Sequence, residues 1–346
     1  MTQPVYWRDI EDRQGNWAGL QVTVKRSDPT RPPLHLRAMT NGRIKLMHND
    51  TPLLWATSER GYYGAWVVRN NQVLPHSQFS PVAPIRSADV DRYASLTQPA
   101  RTKAWSRYFV SALCDGTSNF MSTGNWLAQG LLPDPSKTQL MRRDGLASWL
   151  FTHGTADYRL PDWCLSGQEI IDYQQSPIVR WLDWCSWQYK LIGLRPVDPM
   201  ADRLKWWCKK SREGTLPPIL LWYVAGLSAY VIIDGHYRLQ AAIETNIPPS
   251  FIVLSVIRMQ EFSPPPESLQ PVVESLLRQR ARNPGFGVDA LNEKLINLFD
   301  NRAFIGPRTH SWAGLRSEQG WEAQVTAYLQ GIGETEYLHQ ILEREE

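Results

Sequence analysis

The pattern of apolar and polar positions is strand-like over roughly the first hundred residues. Short runs there alternate between apolar and polar positions or stay apolar between turn formers. The clearest runs cover residues 19–24, 34–38, 43–47 and 65–68. Thr40-Asn41-Gly42 separates two of them, and Asn-Gly readily takes the positive φ of a hairpin turn. Asn70-Asn71 predicts a second hairpin turn, and we expect a small antiparallel sheet.

Helical spacing dominates the middle of the chain. Residues 105–113 predict a buried element, and Gly, Pro and Asp residues at 130–135 predict a boundary. From 138 to about 190 the pattern predicts mainly helices. One of them would cover 178–187, with Ser176 as N-cap and Pro177 at the first helical position. Residues 200–212 predict another helix.

A strand–turn–strand–helix pattern follows. Apolar runs at 216–221 and 230–233 predict two strands, and the second run ends on Asp234-Gly235. A helix-compatible segment begins immediately afterwards and carries Arg238 in its first turn. The run at 251–257 shows no polar alternation and predicts a strand that is buried on both faces of a sheet.

The last part of the chain changes character after Ser263-Pro264-Pro265-Pro266, which cannot extend a strand. Two apolar stripes at helical spacing follow, Leu269, Val272, Val273, Leu276 and Leu277, then Leu291, Leu295, Leu298 and Phe299. Residues 319–344 predict two more helices. We therefore expect an α+β fold with a β-rich region over 1–130, Trp-rich helices and a mixed α/β unit over 131–262, and a helical region over 263–346.

Composition excludes several classes of protein. The chain has 346 residues, 42% hydrophobic and 21% charged, and a net charge of +3 is too small to indicate a nucleic-acid or membrane partner. The four Cys never form a Cys-x-x-Cys spacing, and the seven His form no His-x-x-x-His pair, so neither predicts a metal site. The first residues are not a signal sequence, and no segment is long and apolar enough for a membrane span, which predicts a cytoplasmic protein.

The unusual count is 16 Trp, half of them between Trp149 and Trp222. Two interpretations are open. Large rings fill cores, where each needs apolar cover and a partner for its N–H group. Trp also anchors protein–protein interfaces, so a partner-binding surface is the second interpretation.

The junction at Asp234-Gly235 predicts an anion site. The first backbone N–H groups of a helix have no intrahelical partner, and the helix dipole is positive at that end. Gly235 lets a ligand approach the backbone closely. The guanidinium of Arg238 offers a permanently charged fork that suits phosphate oxygens.

Residues from about 191 to 257 resemble the ParB/sulfiredoxin superfamily. The resemblance is carried by the Pro-containing strand entry Gly214-Thr215-Leu216-Pro217-Pro218-Ile219-Leu220, the strand end Ile233-Asp234-Gly235, the helix with Arg238 and Ala241-Ala242, and the final strand over 251–257. It covers roughly a fifth of the chain. The resemblance implies a nucleoside phosphate, ATP or CTP with Mg²⁺, at the turn before the helix. Gly235, His236, Tyr237 and Arg238 would bind it.

The branches of this superfamily differ at the turn. His236 stands where sulfiredoxins have their reactive cysteine, so that redox chemistry lacks its nucleophile. Of the Gly-Glu-Arg-Arg of the chromosome-partitioning branch only Gly235 and Arg238 are present, and no helix-turn-helix follows, which argues against DNA. The Asp-Gly-His turn of the free-serine-kinase branch is nearer.

That nearer branch implies roles for two residues. Asp234 would position the metal or deprotonate a hydroxyl, and His236, together with Arg238, would bind the phosphate. An upstream carboxylate would also be required, with Asp198, Asp202 and Glu213 as the alternatives.

Two functions remain open on the sequence. The first is a nucleoside-phosphate-binding protein with phosphotransferase or nucleotide-hydrolase activity. The second is an immunity or antitoxin module that covers a bacterial toxin and uses the fold as a scaffold, favoured by the many Trp and the missing family residues.

Overall fold

The computed structural model describes most of the chain. The described residues are 5–12, 14–26, 30–59, 63–72, 80–115, 118–138, 145–154, 159–175, 178–184, 189–261, 267, 269–282, 287–289, 292, 295, 303–314 and 318–343.

The strands, in chain order, are β1 Val5–Glu11, β2 Trp17–Val24, β3 Leu34–Ala38, β4 Arg43–His48, β5 Thr51–Ser58, β6 Gly64–Arg69, β7 Gly124–Pro133, β8 Leu150–Thr152, β9 Cys164–Ser166, β10 Val179–Asp183, β11 Lys190–Gly193, β12 Ile219–Val224, β13 Ala229–Asp234, β14 Phe251–Glu261, β15 Ala303–Arg308 and β16 Ser311–Ala313. The helices are α1 Ser87–Ala94, α2 Gln98–Asp115, α3 Pro135–Thr138, α4 Gly167–Gln175, α5 Asp202–Arg212, α6 His236–Thr245, α7 Leu269–Arg282, α8 Glu318–Ile332 and α9 Leu338–Leu342.

Two sheets organise this α+β fold. The larger has ten strands, with the main order β1-β2-β7-β14-β12-β13-β11, and the smaller has six, in the order β10-β6-β5-β4-β3-β16. Strands β12 and β13 are antiparallel, whereas β13 is parallel to β11 and β12 is parallel to β14. The carboxyl ends of β11 and β13 therefore lie at the same edge of the larger sheet.

The strands and turn predicted near the amino terminus are confirmed. The four predicted runs lie in β2, β3, β4 and β6. Asn41 (φ 58°) and Gly42 (φ 66°) form the turn of the β3–β4 hairpin. The hairpin turn predicted at Asn70-Asn71 is wrong, because β6 pairs with β5 and with the distant β10. The side-chain amide of Asn70 instead donates to Pro52 O (2.8 Å) near the start of β5.

The helix predicted over residues 178–187 is wrong. Val179–Asp183 is a strand that pairs antiparallel with β6, and the Trp181 and Trp66 rings lie 5.3 Å apart across that pair. Spacing alone cannot distinguish a short apolar run in a strand from one in a helix, and cross-strand contacts decided the outcome. The proposed caps Ser176 and Pro177 lie outside the described residues. Between residues 138 and 190, a region predicted to be mainly helical, the longest helix in the described part of the chain is α4.

The remaining element predictions are largely confirmed. Helices α5, α6, α7, α8 and α9 and strands β13 and β14 lie where the sequence predicted them. Strand β12 begins at Ile219, three positions after the start of the predicted run 216–221. Residues 105–113 lie within α2, and 130–133, predicted as a boundary, lie inside β7. Strands β15 and β16 were not predicted. Most of the second C-terminal stripe, Leu291 to Phe299, lies outside the described residues.

Tryptophan fills the interior of this protein. Eight of the described Trp side chains are buried, Trp55, Trp105, Trp126, Trp149, Trp163, Trp207, Trp222 and Trp321. Trp7 on the edge strand β1 is 41% exposed. The core interpretation of the Trp content therefore accounts for most of these residues.

The chain divides into two compact units. The larger comprises residues 1–156, 162–256 and 307–346. It contains the core in which α2 packs on β2 and β7. The smaller comprises 157–161 and 257–306, and in it the Ile305 N–H donates to Arg159 O (2.8 Å). In the part of the chain that the structure describes, no helix has the length and apolarity to cross a membrane.

Candidate functional site

A cavity of about 350 Å³ opens where β13 passes into α6. Its lining residues are Ser80, Val82, Pro84, Arg195, Arg203, Trp207, Asp234, Gly235, His236, Tyr237 and Arg238. All five residues predicted from the turn, 234–238, are therefore brought together at one site. The other walls come from the segment before α1, from the segment after β11 and from α5.

Gly235 shapes the entry to the helix. It is the N-cap of α6 with φ +102°, a conformation that other L-residues rarely adopt. A Cβ atom at this position would lie 2.8 Å from Arg238 Nη2. The glycine is thus required both by the backbone turn and by the guanidinium packed beneath it.

Arg238 is buried, with 2% of its surface exposed. Its Nη2 donates to Asp234 Oδ2 (2.8 Å) and to Pro218 O (2.9 Å), and its guanidinium lies over the rings of Phe109 and Trp207. Its Nε is buried and has no hydrogen-bond partner. Arg238 therefore holds the loop before β12 and the end of β13 together while one N–H group stays unsatisfied beside Gly235.

His236 is almost completely buried in the first turn of α6. The Leu194 N–H group points at its Nε2 (3.2 Å), and Arg195 Nε points at its Nδ1 (3.3 Å). Both neighbours are donors, and a neutral imidazole accepts through one ring nitrogen only, so one tautomer cannot accept from both of them. The structure therefore places His236 against the Arg195 guanidinium and the Leu194 backbone.

Two further arginines border the cavity. Burial lowers the pKa of Arg195 from its usual value, and the nearby Asp234 carboxylate opposes that change. Arginine stays protonated after such changes because its reference pKa is so high. Arg203 lies exposed in the first turn of α5. Three guanidinium groups therefore surround a cavity whose described lining contains one carboxylate, which favours an anionic ligand.

The upstream carboxylates named from the sequence lie elsewhere. Asp198 is exposed, and its Oδ1 accepts from the Met200 N–H (2.9 Å). Asp202 pairs with Lys205, and Glu213 pairs with Lys210 beyond the far end of α5. None of the three lines the cavity. Tyr237 lines it and is half-buried against the core.

Sequence reasoning missed Arg195, Arg203 and the segment that carries Ser80, Val82 and Pro84. A signal existed for Arg195, which follows the short apolar run of β11. Recognising 190–193 as a strand parallel to β13 would have placed Arg195 at the same sheet edge as Asp234. Ser80 and its neighbours carry no such signal, because only the tertiary fold brings them to α6.

Replacing Gly235 with alanine tests the packing beneath the turn. We expect Gly235→Ala to lower the free energy of unfolding by about 1–3 kcal/mol from backbone strain alone. The Cβ contact with Arg238 adds to this loss. Urea denaturation of the purified variants measures both effects.

Gly214→Ala is the matched control. Gly214 also has a positive φ (+69°), but a Cβ atom there meets nothing within 4 Å. It therefore reports the backbone strain without the contact. Equal losses in the two variants would show that Arg238 does not pack against position 235.

Comparison with known proteins gives no relative for this chain. No protein-family model, no curated protein and no solved structure matches it. The geometry of the cavity is therefore the guide to function.

Proposed function

We propose that this protein binds a nucleoside phosphate in the cavity at the start of α6. The observation that carries the proposal is the excess of guanidinium groups, Arg195, Arg203 and Arg238, over the single carboxylate Asp234 in the described lining. The phosphate would accept hydrogen bonds from the first N–H groups of α6, as anions do at helix N-termini. The unpartnered Nε of buried Arg238 is the second feature that favours an acceptor here.

The organic part of the ligand has an apolar wall available. Val82 and Trp207 are buried, and Pro84 is exposed at the border of the cavity. Ligand sites commonly combine such a wall with a few convergent polar groups, in volumes of about 300–1,000 Å³. The cavity is at the small end of that range.

The order of elements supports the proposed relationship to the ParB/sulfiredoxin superfamily. A helix (α5) precedes two antiparallel strands, and a second helix (α6) leads to β14, which pairs parallel with β12. This order is the one that the resemblance in the sequence implies.

Binding rather than turnover is the activity that we propose. Asp234 is paired with Arg238, and both ring nitrogens of His236 face N–H donors. A general base needs an acceptor atom within reach of the proton that it removes. The two residues that the sequence suggested as catalytic are therefore better suited to ordering the site.

Titration calorimetry with ATP, CTP and inorganic phosphate tests the proposal. We expect Arg203→Ala to weaken nucleotide binding by about tenfold, the effect of removing one charge-assisted hydrogen bond. Arg203 is exposed, so the variant should keep its fold. Added salt should weaken binding in the same experiment, because it screens exposed charges.

Arg212→Ala is the control for charge, since Arg212 lies exposed at the opposite end of the same helix. The Arg212→Ala variant should bind nucleotide with the affinity of the wild type. Equal weakening in both variants would indicate nonspecific attraction. If the wild type bound none of the three probes, the proposal would be refuted.

A further inference from the structure

We infer that the phosphate at this site is bound without a divalent cation, and that the preferred ligand is a phosphomonoester. The inference rests on the proposed function and concerns the chemistry of the same cavity. The superfamily resemblance implies Mg²⁺ beside Asp234, so the donor atoms around that residue decide whether a metal fits.

The carboxylate of Asp234 is already engaged. Its Oδ2 accepts from Arg238 Nη2 at 2.8 Å, and its charge also acts on Arg195. A metal ion that took this oxygen would displace Arg238, which is 2% exposed. Leaving a buried charge without its partner is strongly destabilising. Asp234 is therefore a counter-ion for arginine, and binding a metal through Oδ2 would break that pair.

Further carboxylates are lacking in the described lining. Mg²⁺ requires near-octahedral oxygen coordination and is usually held by one or two carboxylates together with substrate phosphates. Among the described residues no group of three His, Cys, Asp or Glu side chains is placed to hold a metal. Residues 73–79, which precede Ser80 and lie outside the described residues, contain no Asp or Glu in their sequence.

The positive charge that a metal would supply is present on the protein. Arg195, Arg203 and Arg238 border the cavity, and the α6 N-terminus adds the partial positive charge of its unpaired N–H groups. A divalent cation would be repelled by these groups, whereas a bare phosphate would be attracted to them. The residues present do not fit Mg²⁺, and arginine takes over its role of balancing charge.

This charge arrangement selects among phosphate compounds. Nucleoside triphosphates chelate Mg²⁺ between their β- and γ-oxygens, which neutralises much of the charge that arginine would otherwise bind. A phosphomonoester has one phosphate group and cannot form that chelate. In a solution that contains Mg²⁺, the monoester therefore presents phosphate oxygens to the arginines without a chelated cation between them.

Calorimetry with AMP and ATP, each in EDTA and in excess Mg²⁺, tests the inference. We expect Mg²⁺ to weaken ATP binding by about tenfold, as if one charge-assisted hydrogen bond were lost. AMP should bind equally in both conditions. Tighter ATP binding in Mg²⁺, or binding that requires Mg²⁺, would overturn the inference and leave the proposed function standing. Absence of binding in every condition would remove both.

A second measurement needs no nucleotide. Mn²⁺ is titrated alone into the wild type, Asp234→Asn and Asp202→Asn, and water proton relaxation reports the bound ion. We expect no site-specific binding in any of them. Mn²⁺ binding that is lost in Asp234→Asn but kept in Asp202→Asn would show that Asp234 is a metal ligand after all.

Discussion

Replacing Arg238 with alanine is expected to lower the free energy of unfolding by about 3–5 kcal/mol, the usual effect of removing one partner from a buried ion pair. The variant leaves Asp234 without its partner at 2.8 Å and removes the cation that lies over Phe109 and Trp207. It also leaves Pro218 O without the hydrogen bond that it accepts from Arg238. Urea denaturation followed by Trp fluorescence measures the loss.

A matched pair on the surface provides the control. Lys205 and Asp202 are paired at 3.1 Å, but their side chains are 70% and 96% exposed. We expect Lys205→Ala to change stability by no more than about 0.5 kcal/mol. The double variant Asp234→Ala/Arg238→Ala should lose less than the sum of the two single variants, since the two residues act as a unit. If the stability losses of the two single variants added up to that of the double variant, the interaction between Asp234 and Arg238 would contribute nothing to stability.

The second large effect is expected at Trp321. This side chain is fully buried, its Nε1 donates to Ile44 O (3.2 Å), and the Arg43 guanidinium lies 5.1 Å from its ring. Trp321→Ala should therefore lower the free energy of unfolding by about 3–5 kcal/mol, as for other large-to-small core substitutions. Urea denaturation measures this loss as well.

Trp7→Ala is the control for the loss of an indole ring, because Trp7 is 41% exposed. It should have a much smaller effect on stability. The change at Trp321 should also alter the surroundings of Arg43, whose pairing with Glu322 anchors α8 to the smaller sheet. If Trp321→Ala were no more destabilising than Trp7→Ala, α8 would not be part of the core.

The elements that the sequence predicted well are those decided by local interactions. Asn41 and Gly42 readily take a positive φ, which forms a turn locally. Gly235, which also has a positive φ, marks the turn directly after β13. The strand at Val179–Asp183 was missed because its partner β6 is remote in sequence. Local propensity is overridden where long-range pairing supplies the neighbours.

The sequence predicted where the candidate site lies but not how its side chains are arranged. The sequence brought Asp234, Gly235 and Arg238 to one turn, and the structure places all three at the cavity. Nothing in the sequence indicated that the Arg238 guanidinium would turn inward onto Asp234 and the rings of Phe109 and Trp207. Burial of a charged side chain depends on groups contributed by distant segments, here Phe109 and Trp207, which no local pattern reveals.

The attachment of α8 to the smaller sheet also has a consequence for biosynthesis. Arg43 and Glu322 are 279 positions apart. At about 5–20 residues per second, a ribosome would need roughly 15–55 seconds to make the second after the first. During that interval the face of the smaller sheet that α8 later covers lacks that helix, so its burial waits until synthesis is nearly finished.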